Sequence, residues 1–200
     1  MLIEEWMKKD FAMVDKNATV GDVKKILRKH GSNCCIVATQ KRFEGIVRSE
    51  EILGMNDSLP VSNYIRKIPY TLSPQDTLDE AAVFFLESDL ELLPVISEEE
   101  IVGVISIFDI LDAFTQMAGF GEGGIRLEVE LKDTPGSLKH VLDVLYLHSM
   151  NVLSVLIYPG KNIGERVAII RVEGKNAKEL SKILDVNEIT YNSILKEEKI

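Results

Sequence analysis

Two short apolar runs, Cys34–Ala38 and Leu92–Ile96, each follow a stretch with helical spacing and precede a second apolar run, Gly45–Val47 and Ile101–Ile105. Runs of that length bounded by turn residues predict buried strands. The helical stretches open on hydroxyl residues, Thr19 and Thr77. Thr77-Leu78-Asp79-Glu80 is a capping box, in which hydroxyl and carboxylate reciprocally satisfy backbone donors, and Thr19 with Asp22 is a weaker version. The first helix is expected to end at Gly31. A short extended segment precedes each helix, Ala12–Val14 and Tyr70–Leu72, and a closing helix follows each second strand. The predicted unit is β-α-β-β-α, twice.

Sliding the sequence by 58 positions superposes the first unit on the second without a gap. Trp6 falls on Tyr64, Thr19 on Thr77, Gly45 on Gly103, and Ile26 and Leu27 on Phe84 and Phe85. The run Gly45-Ile46-Val47-Arg48-Ser49-Glu50-Glu51-Ile52-Leu53 falls on Gly103-Val104-Ile105-Ser106-Ile107-Phe108-Asp109-Ile110-Leu111. This is a tandem duplication, with boundaries at 1–57 and 58–118.

Residues 119–124 hold four glycines in six positions and read as a linker. Beyond it, Leu127–Leu131 alternates as a half-buried strand, and Ser137–Ser149 has helical spacing at Leu138, Val141, Leu142 and Leu145. Asn151–Tyr158 and Arg166–Val172 read as strands joined around Pro159-Gly160. Asn176-Ala177-Lys178-Glu179 opens a second helix, and Ile189–Leu195 is a last strand. The order β-α-β-β-α-β over 125–200 is the ferredoxin-like split βαβ, so the whole chain is α/β (α+β).

With 46% hydrophobic and 28% charged residues among 200, the composition is that of a globular chain. No apolar run is long enough to span a bilayer, and the N-terminus carries no targeting pattern, so a cytoplasmic location is expected. Lysine and arginine number 23 against 32 acidic residues, a net charge of −9, which argues against nucleic acid as a partner. Residues 58–118 carry 2 basic and 11 acidic side chains and hold the whole imbalance. Cys34 and Cys35 are adjacent in a strand, point to opposite faces, and read as buried packing rather than a metal site. His30, His140 and His148 show no metal-ligand spacing, and no Gly-x-Ser-x-Gly, Walker loop or dinucleotide fingerprint is present. The basic run Lys24-Lys25 with Arg28-Lys29 reads as a solvated helix face, and Glu98-Glu99-Glu100 as a turn.

The duplicated unit resembles the cystathionine-β-synthase (CBS) domain. The signature is a glycine, two apolar residues, a hydroxyl residue and an aspartate three further on, here Gly103-Val104-Ile105-Ser106-Ile107-Phe108-Asp109. Two such domains in tandem resemble a Bateman module, which senses adenosine-containing ligands. The C-terminal unit resembles an ACT domain, with the Asp-x-Pro-Gly turn as Asp133-Thr134-Pro135-Gly136 and Asn151 at the start of the second strand. The order CBS, CBS, ACT is similar to the acetoin-utilization protein B family.

The resemblance implies an adenine nucleotide (AMP, ADP, ATP or S-adenosylmethionine) in the CBS pair. A strand delivering Ser106 to a helix N-terminus offers a hydroxyl and free N–H groups to a phosphate, and Asp109 can accept hydrogen bonds from ribose. Leu93, Pro94 and Val95, with Tyr70 and Thr71, are the apolar walls expected around the adenine. The same Ser-x-x-Asp is equally a helix cap, worth about 1 kcal/mol without any ligand. The first copy departs from the signature, with Arg48 for the hydroxyl residue and Glu51 for the aspartate. One nucleotide per chain is therefore expected, with Arg48 either clamping its phosphates or solvating a helix start.

Asp133, Pro135, Gly136 and Asn151 mark the turn where ACT domains commonly hold an amino acid across a dimer interface. Capping of the helix by Asp133 accounts for the same residues. The expectation is a homodimeric, non-catalytic ligand sensor without a metal, acting on an unknown metabolic enzyme, with a role in acetoin utilization implied by the resemblance. The alternative is a ligand-free dimerisation scaffold. An enzyme using an adenosine cofactor would need an acid, base or nucleophile beside the site, and none is evident.

Overall fold

The structure, a computed structural model, describes residues 1–174 and 176–199. The described residues form five α-helices and nine strands in two sheets. The chain divides into two compact units, Met1–Ala113 and Phe114–Ile200.

In the first unit one copy supplies β1 (Met13–Val14), α1 (Val20–His30), β2 (Cys34–Thr39) and β3 (Arg42–Arg48). The second supplies α2 (Leu78–Glu87), β4 (Leu92–Ser97), β5 (Glu100–Ser106) and α3 (Ile107–Met117). Both capping boxes form. The Asp22 and Glu80 N–H groups donate to Thr19 and Thr77 Oγ1 at 3.2 and 3.4 Å, and the carboxylates take back the Thr N–H groups at 3.1 and 2.8 Å. Gly31 ends α1 in the left-handed region at φ 60°.

Two elements differ from expectation. The closing helix of the first copy is only a 3-10 turn, Ser49–Ile52, because Leu53 is already extended and Gly54 turns at φ 78°. Its counterpart α3 contains no glycine and runs for 11 residues. Of the extended segment Tyr70–Leu72, only Leu72 pairs, as a parallel bridge to Val95, the counterpart of Val14 on Val37.

The leading segment of each copy lies on the other copy. Lys8 and Val104 exchange hydrogen bonds of 2.8 and 3.0 Å, and Arg66 and Ile46 exchange bonds of 2.8 and 2.9 Å. Leu2 bridges to Thr77 and Pro60 to Thr19 in the same crossed sense. Each pair maps on the other by the 58-residue offset, so the crossing is a pseudo-twofold exchange. It also explains the repeated glycine. A Cβ at Gly45 would stand 2.6 Å from the Arg66 carbonyl oxygen, and one at Gly103 would stand 2.8 Å from Met7 Sδ and 3.0 Å from the Lys8 carbonyl.

The sheet runs β1-β2-β3-β5-β4, and its halves meet at Arg42 opposite Glu100. Arg42 pairs with Glu99 at 2.8 Å and Lys41 with Glu100 at 3.2 Å, so the acidic turn of one copy neutralises the basic tip of the other. Strand β2 separates two cores. Cys35 and Val37 pack with Val20, Val23 and Leu27 of α1, whereas Cys34 and Ile36 join the core containing Leu93, Ile105 and Ala113.

The second unit contains β6 (Gly124–Lys132), α4 (Ser137–Leu147), β7 (Val152–Pro159), β8 (Glu165–Val172), α5 (Ala177–Val186) and β9 (Tyr191–Glu197). Its antiparallel sheet runs β7-β8-β6-β9, the ferredoxin-like order. Leu127, Val129, Ile170, Leu180 and Leu184 are fully enclosed in its core.

Candidate functional site

Strand β5 ends at Ser106 and α3 starts at the next residue, which places a hydroxyl and a carboxylate at one helix N-terminus. The Ser106 hydroxyl and N–H both donate to Asp109 Oδ2, at 2.6 and 2.8 Å, while the Asp109 N–H donates to Ser106 Oγ at 3.3 Å. This is the cap that the tetrapeptide allows. It uses one carboxylate oxygen. The other, Oδ1, faces Lys8 Nζ at 2.7 Å, and the Asp109 side chain is only 11% exposed. Burial alone would raise the Asp109 carboxyl, but hydrogen bonds from Lys8 and Ser106 outweigh it and hold the group below the ordinary carboxylate range.

This corner opens on a cavity of about 260 Å³ lined by Lys8, Phe11 and Ala12 of the exchanged segment, by Ser32 and Cys34 of the first copy, and by Ser106, Phe108 and Asp109. Tyr70, Thr71 and Pro94 are not among its walls. Tyr70 stacks on Phe84 with ring centroids 5.3 Å apart and lines a separate depression beside Arg66 and Asp89. Thr71 is exposed, and Pro94 lies within β4, its carbonyl accepting the Leu72 N–H at 3.0 Å. The crossing is the reason: it brings to Ser106 the leading segment of the first copy, including Ala12, which stands 58 positions before Tyr70, and not Tyr70 itself. Lys8 and Phe11 were missed by sequence reasoning. Their signal was a basic residue recurring at the same offset, Lys8 and Arg66.

The first copy's cleft, about 200 Å³, shares Asn33, Cys34, Glu91 and Leu92 with the second. Arg48 lines it. Its Nη2 donates to the Asp89 carbonyl at 2.9 Å and lies 3.3 Å from the Asp89 carboxylate, while Nη1 lies 3.5 Å from Glu50. Arg66 reaches the same carboxylate at 3.2 Å. Burial would raise Asp89, yet Arg48 and Arg66 together keep it below the usual carboxylate range. Burial would likewise lower Arg48, and Asp89 and Glu50 more than reverse that. The guanidinium is thus held on Asp89 within its own cleft. Glu51 accepts the Arg48 N–H at 3.0 Å, repeating the cap of the second copy without a hydroxyl. The Cys34 thiol in the shared wall is pushed up to about 12 by burial, and Cys35 likewise, which makes both poor nucleophiles.

In the second unit Asp133 does not cap α4. It pairs with Arg166 at 3.1 Å, and α4 starts from Gly136 at φ 92° without a side-chain cap. Pro135 lies in the same turn. Asn151 donates to Glu173 at 3.3 Å at the other end of β8. At about 3.4 Å per residue, the two ends of that strand stand some 25 Å apart. One chain therefore does not bring Asp133, Pro135 and Gly136 together with Asn151.

The glycine-rich segment is also anchored. The Ala118 carbonyl accepts hydrogen bonds from Arg171 Nη1 at 3.0 Å and Ser154 Oγ at 2.7 Å, and the Arg171 guanidinium lies 4.4 Å from the Phe120 ring centroid. Arg171 is 3% exposed and paired with Glu197 at 2.8 Å. Gly119, Gly121 and Gly123 adopt φ of 68°, 82° and 79°, which other residues rarely do, so these glycines shape a docked turn. Among the described residues no His/Cys/Asp/Glu cluster is arranged to hold a metal ion, and no helix is long and apolar enough to cross a membrane.

Residues 3–55 and 61–116 each match the family model of the CBS domain. The chain belongs to the CBS domain family and carries the domain as a tandem pair, the class of regulatory ligand-binding modules. It is 30% identical to a solved chain from Thermotoga maritima described as a CBS domain pair/ACT domain protein, covering 58% of this chain and 98% of that one with a TM-score of 0.54. The CBS domain pair of protein MJ0100, solved in complex with 5'-methylthioadenosine and S-adenosyl-L-methionine, is 20% identical with a TM-score of 0.53, covering 58% of this chain and 97% of that one. An uncharacterised protein of Methanocaldococcus jannaschii is 29% identical over 143 residues, 70% of this chain. The chain spans 48% of the length of that relative.

Proposed function

We propose that the protein is a non-catalytic sensor that binds one adenine nucleotide per chain in the cleft of Ser106 and Asp109. The observation that carries the reading is the division of labour at Asp109, a residue lining the cavity: Oδ2 completes the helix cap, while Oδ1 stays outside the cap and holds the mostly exposed Lys8 ammonium. The Ser106 hydroxyl at the N-terminus of α3 suits a phosphate, and Oδ1 suits a ribose hydroxyl. Phe11, Ala12 and Cys34 supply apolar wall for the base. The first cleft, where Arg48 replaces the hydroxyl residue and is tied to Asp89, is the reason for a stoichiometry of one. The complex of the MJ0100 pair with adenosine-derived ligands supports the ligand class.

The ferredoxin-like unit is read as an ACT domain, on its Asp133-Thr134-Pro135-Gly136 turn and its sheet order. Because Asp133 and Asn151 lie at opposite ends of β8, an amino acid held by both requires a second chain, in keeping with a homodimer. Regulation of a metabolic enzyme, in acetoin utilization by the order of the domains, completes this reading.

Calorimetric titration with AMP, ADP, ATP and S-adenosylmethionine tests it. Binding at one site per chain that is lost in Asp109→Ala is expected. Absence of heat with all four ligands, on folded protein that dimerises, would instead favour the scaffold reading, which rests on Ser106 and Asp109 already serving as a complete cap.

A further inference from the structure

The cavity beside Asp109 has one ammonium group directly on its functional carboxylate, and that ammonium comes from the other copy. Lys8 is rooted by two backbone hydrogen bonds to Val104, 2.8 and 3.0 Å, while its side chain remains 61% exposed. The base of the residue is fixed and its end is free to swing. Its contact with Asp109 Oδ1, 2.7 Å, occupies the oxygen that a ribose would use. A sugar that takes this oxygen must displace Lys8, and the displaced ammonium then needs another anion. In the first cleft the equivalent residue, Arg66, meets Asp89 at 3.2 Å, a carboxylate of its own copy, so the pairing of a crossed cation with the receiving copy's signature carboxylate belongs to Lys8. The remaining ionisable side chains lining the second cleft are Asp10, His30 and Glu91; Asp10 is 94% exposed and lies 3.8 Å from His30.

We infer that Lys8 selects the charge of the ligand, releasing Asp109 to the ribose and transferring to a phosphate, so that the cleft favours an adenosine monophosphate over uncharged adenosine. This rests on the nucleotide reading of the cleft. A neutral nucleoside breaks the Lys8–Asp109 pair and returns nothing for it. A monophosphate replaces one charge-assisted contact by another. Further phosphates meet Asp10 and Glu91 at the mouth, so ATP gains no affinity over AMP. Lys8 touches the ligand only when that ligand carries an anion, which makes it a specificity-determining residue.

The test is calorimetric titration of the full chain with AMP, adenosine and ATP, for wild type, Lys8→Met, Lys8→Arg and Asp109→Ala. Wild type is expected to bind AMP about tenfold more tightly than adenosine, and ATP no more tightly than AMP. Lys8→Met should reduce the preference to about threefold or less while still binding adenosine, and Lys8→Arg should retain it. The preference in wild type should also shrink as salt is raised. Adenosine binding by Lys8→Met separates a charge effect from loss of the fold. If wild type binds both ligands in an Asp109-dependent manner but Lys8→Met leaves their ratio unchanged, the cleft stands and the inference about Lys8 falls. If ATP binds more tightly than AMP, the single-charge preference falls. If no ligand binds wild type, the nucleotide reading fails and the inference fails with it.

Discussion

Arg48 occupies in the first cleft the place that Ser106 holds in the second, and its guanidinium is closed on Asp89, which stands where the second cleft has Gly31. Two substitutions at equivalent positions thus replace the hydroxyl corner by an ion pair. Restoring both, as Arg48→Ser with Asp89→Gly, is expected to raise adenine nucleotide stoichiometry from one to two per chain by calorimetry. A double variant that still binds one would mean that something other than this ion pair closes the first cleft.

The crossing of the leading segments makes the two signature glycines unequal. A methyl at Gly45 meets backbone, the Arg66 carbonyl at 2.6 Å, whereas one at Gly103 first meets Met7 Sδ, the end of a flexible side chain. Overpacking of this kind costs about 1–3 kcal/mol. Gly45→Ala is expected near the top of that range and Gly103→Ala near the bottom, read as shifts of the urea midpoint. Equal losses would show that Met7 and the Lys8 carbonyl, 3.0 Å from the same Cβ, give way no more than the Arg66 carbonyl does.

Asp109 bears on acid stability as well as binding. Its carboxyl is held below the ordinary value by Lys8 and Ser106 against the opposing effect of burial, so the folded chain binds this proton less readily than the unfolded chain. The stabilisation is fully present above the unfolded value of about 4 and is lost as pH falls through the folded one. Urea midpoints of wild type should therefore drop more steeply below about pH 4 than those of Asp109→Asn. Parallel curves would remove Asp109 from the acid transition.

The Arg171 anchor in the second unit gives a further test. Replacing this 3% exposed cation with methionine leaves Glu197 without its partner and the Ala118 carbonyl with only Ser154. Because the Glu197 side chain is 28% exposed, a loss of about 2 kcal/mol is expected rather than the larger cost of a fully buried orphan. Hydrogen exchange should quicken at Gly119 and Phe120, whose N–H groups donate to Gln116 and Thr115. Unchanged exchange there would mean that the turn holds itself.

Much of this architecture was readable from spacing alone. The offset of 58 positions, the caps at Thr19 and Thr77, and the opposite faces of Cys34 and Cys35 all follow from periodicity and local hydrogen bonding. The exchange was not readable, because self-comparison shows which residues are equivalent and not which copy each one packs against. That is why Tyr70 and Thr71 were assigned to the Ser106 cleft, while Phe11 and Ala12 line it. The short closing turn of the first copy had a visible cause in Gly54. The docking of the glycine-rich segment had none, since it depends on Arg171, about 50 residues away, being buried on β8.

The crossed leading segments also impose an order of events during synthesis. Lys8 has no strand to lie on until Val104 has been made, 96 residues later by their numbers. At about 5–20 residues per second, the first copy waits some 5–20 s with its own leader unplaced. The second leader, by contrast, follows its receiving strand by only 20 residues, Ile46 to Arg66, and docks as soon as it emerges. A ribosome therefore releases this pseudo-symmetric pair asymmetrically: the second leader is placed early, and the Lys8–Asp109 corner forms only after nearly the whole pair has been made.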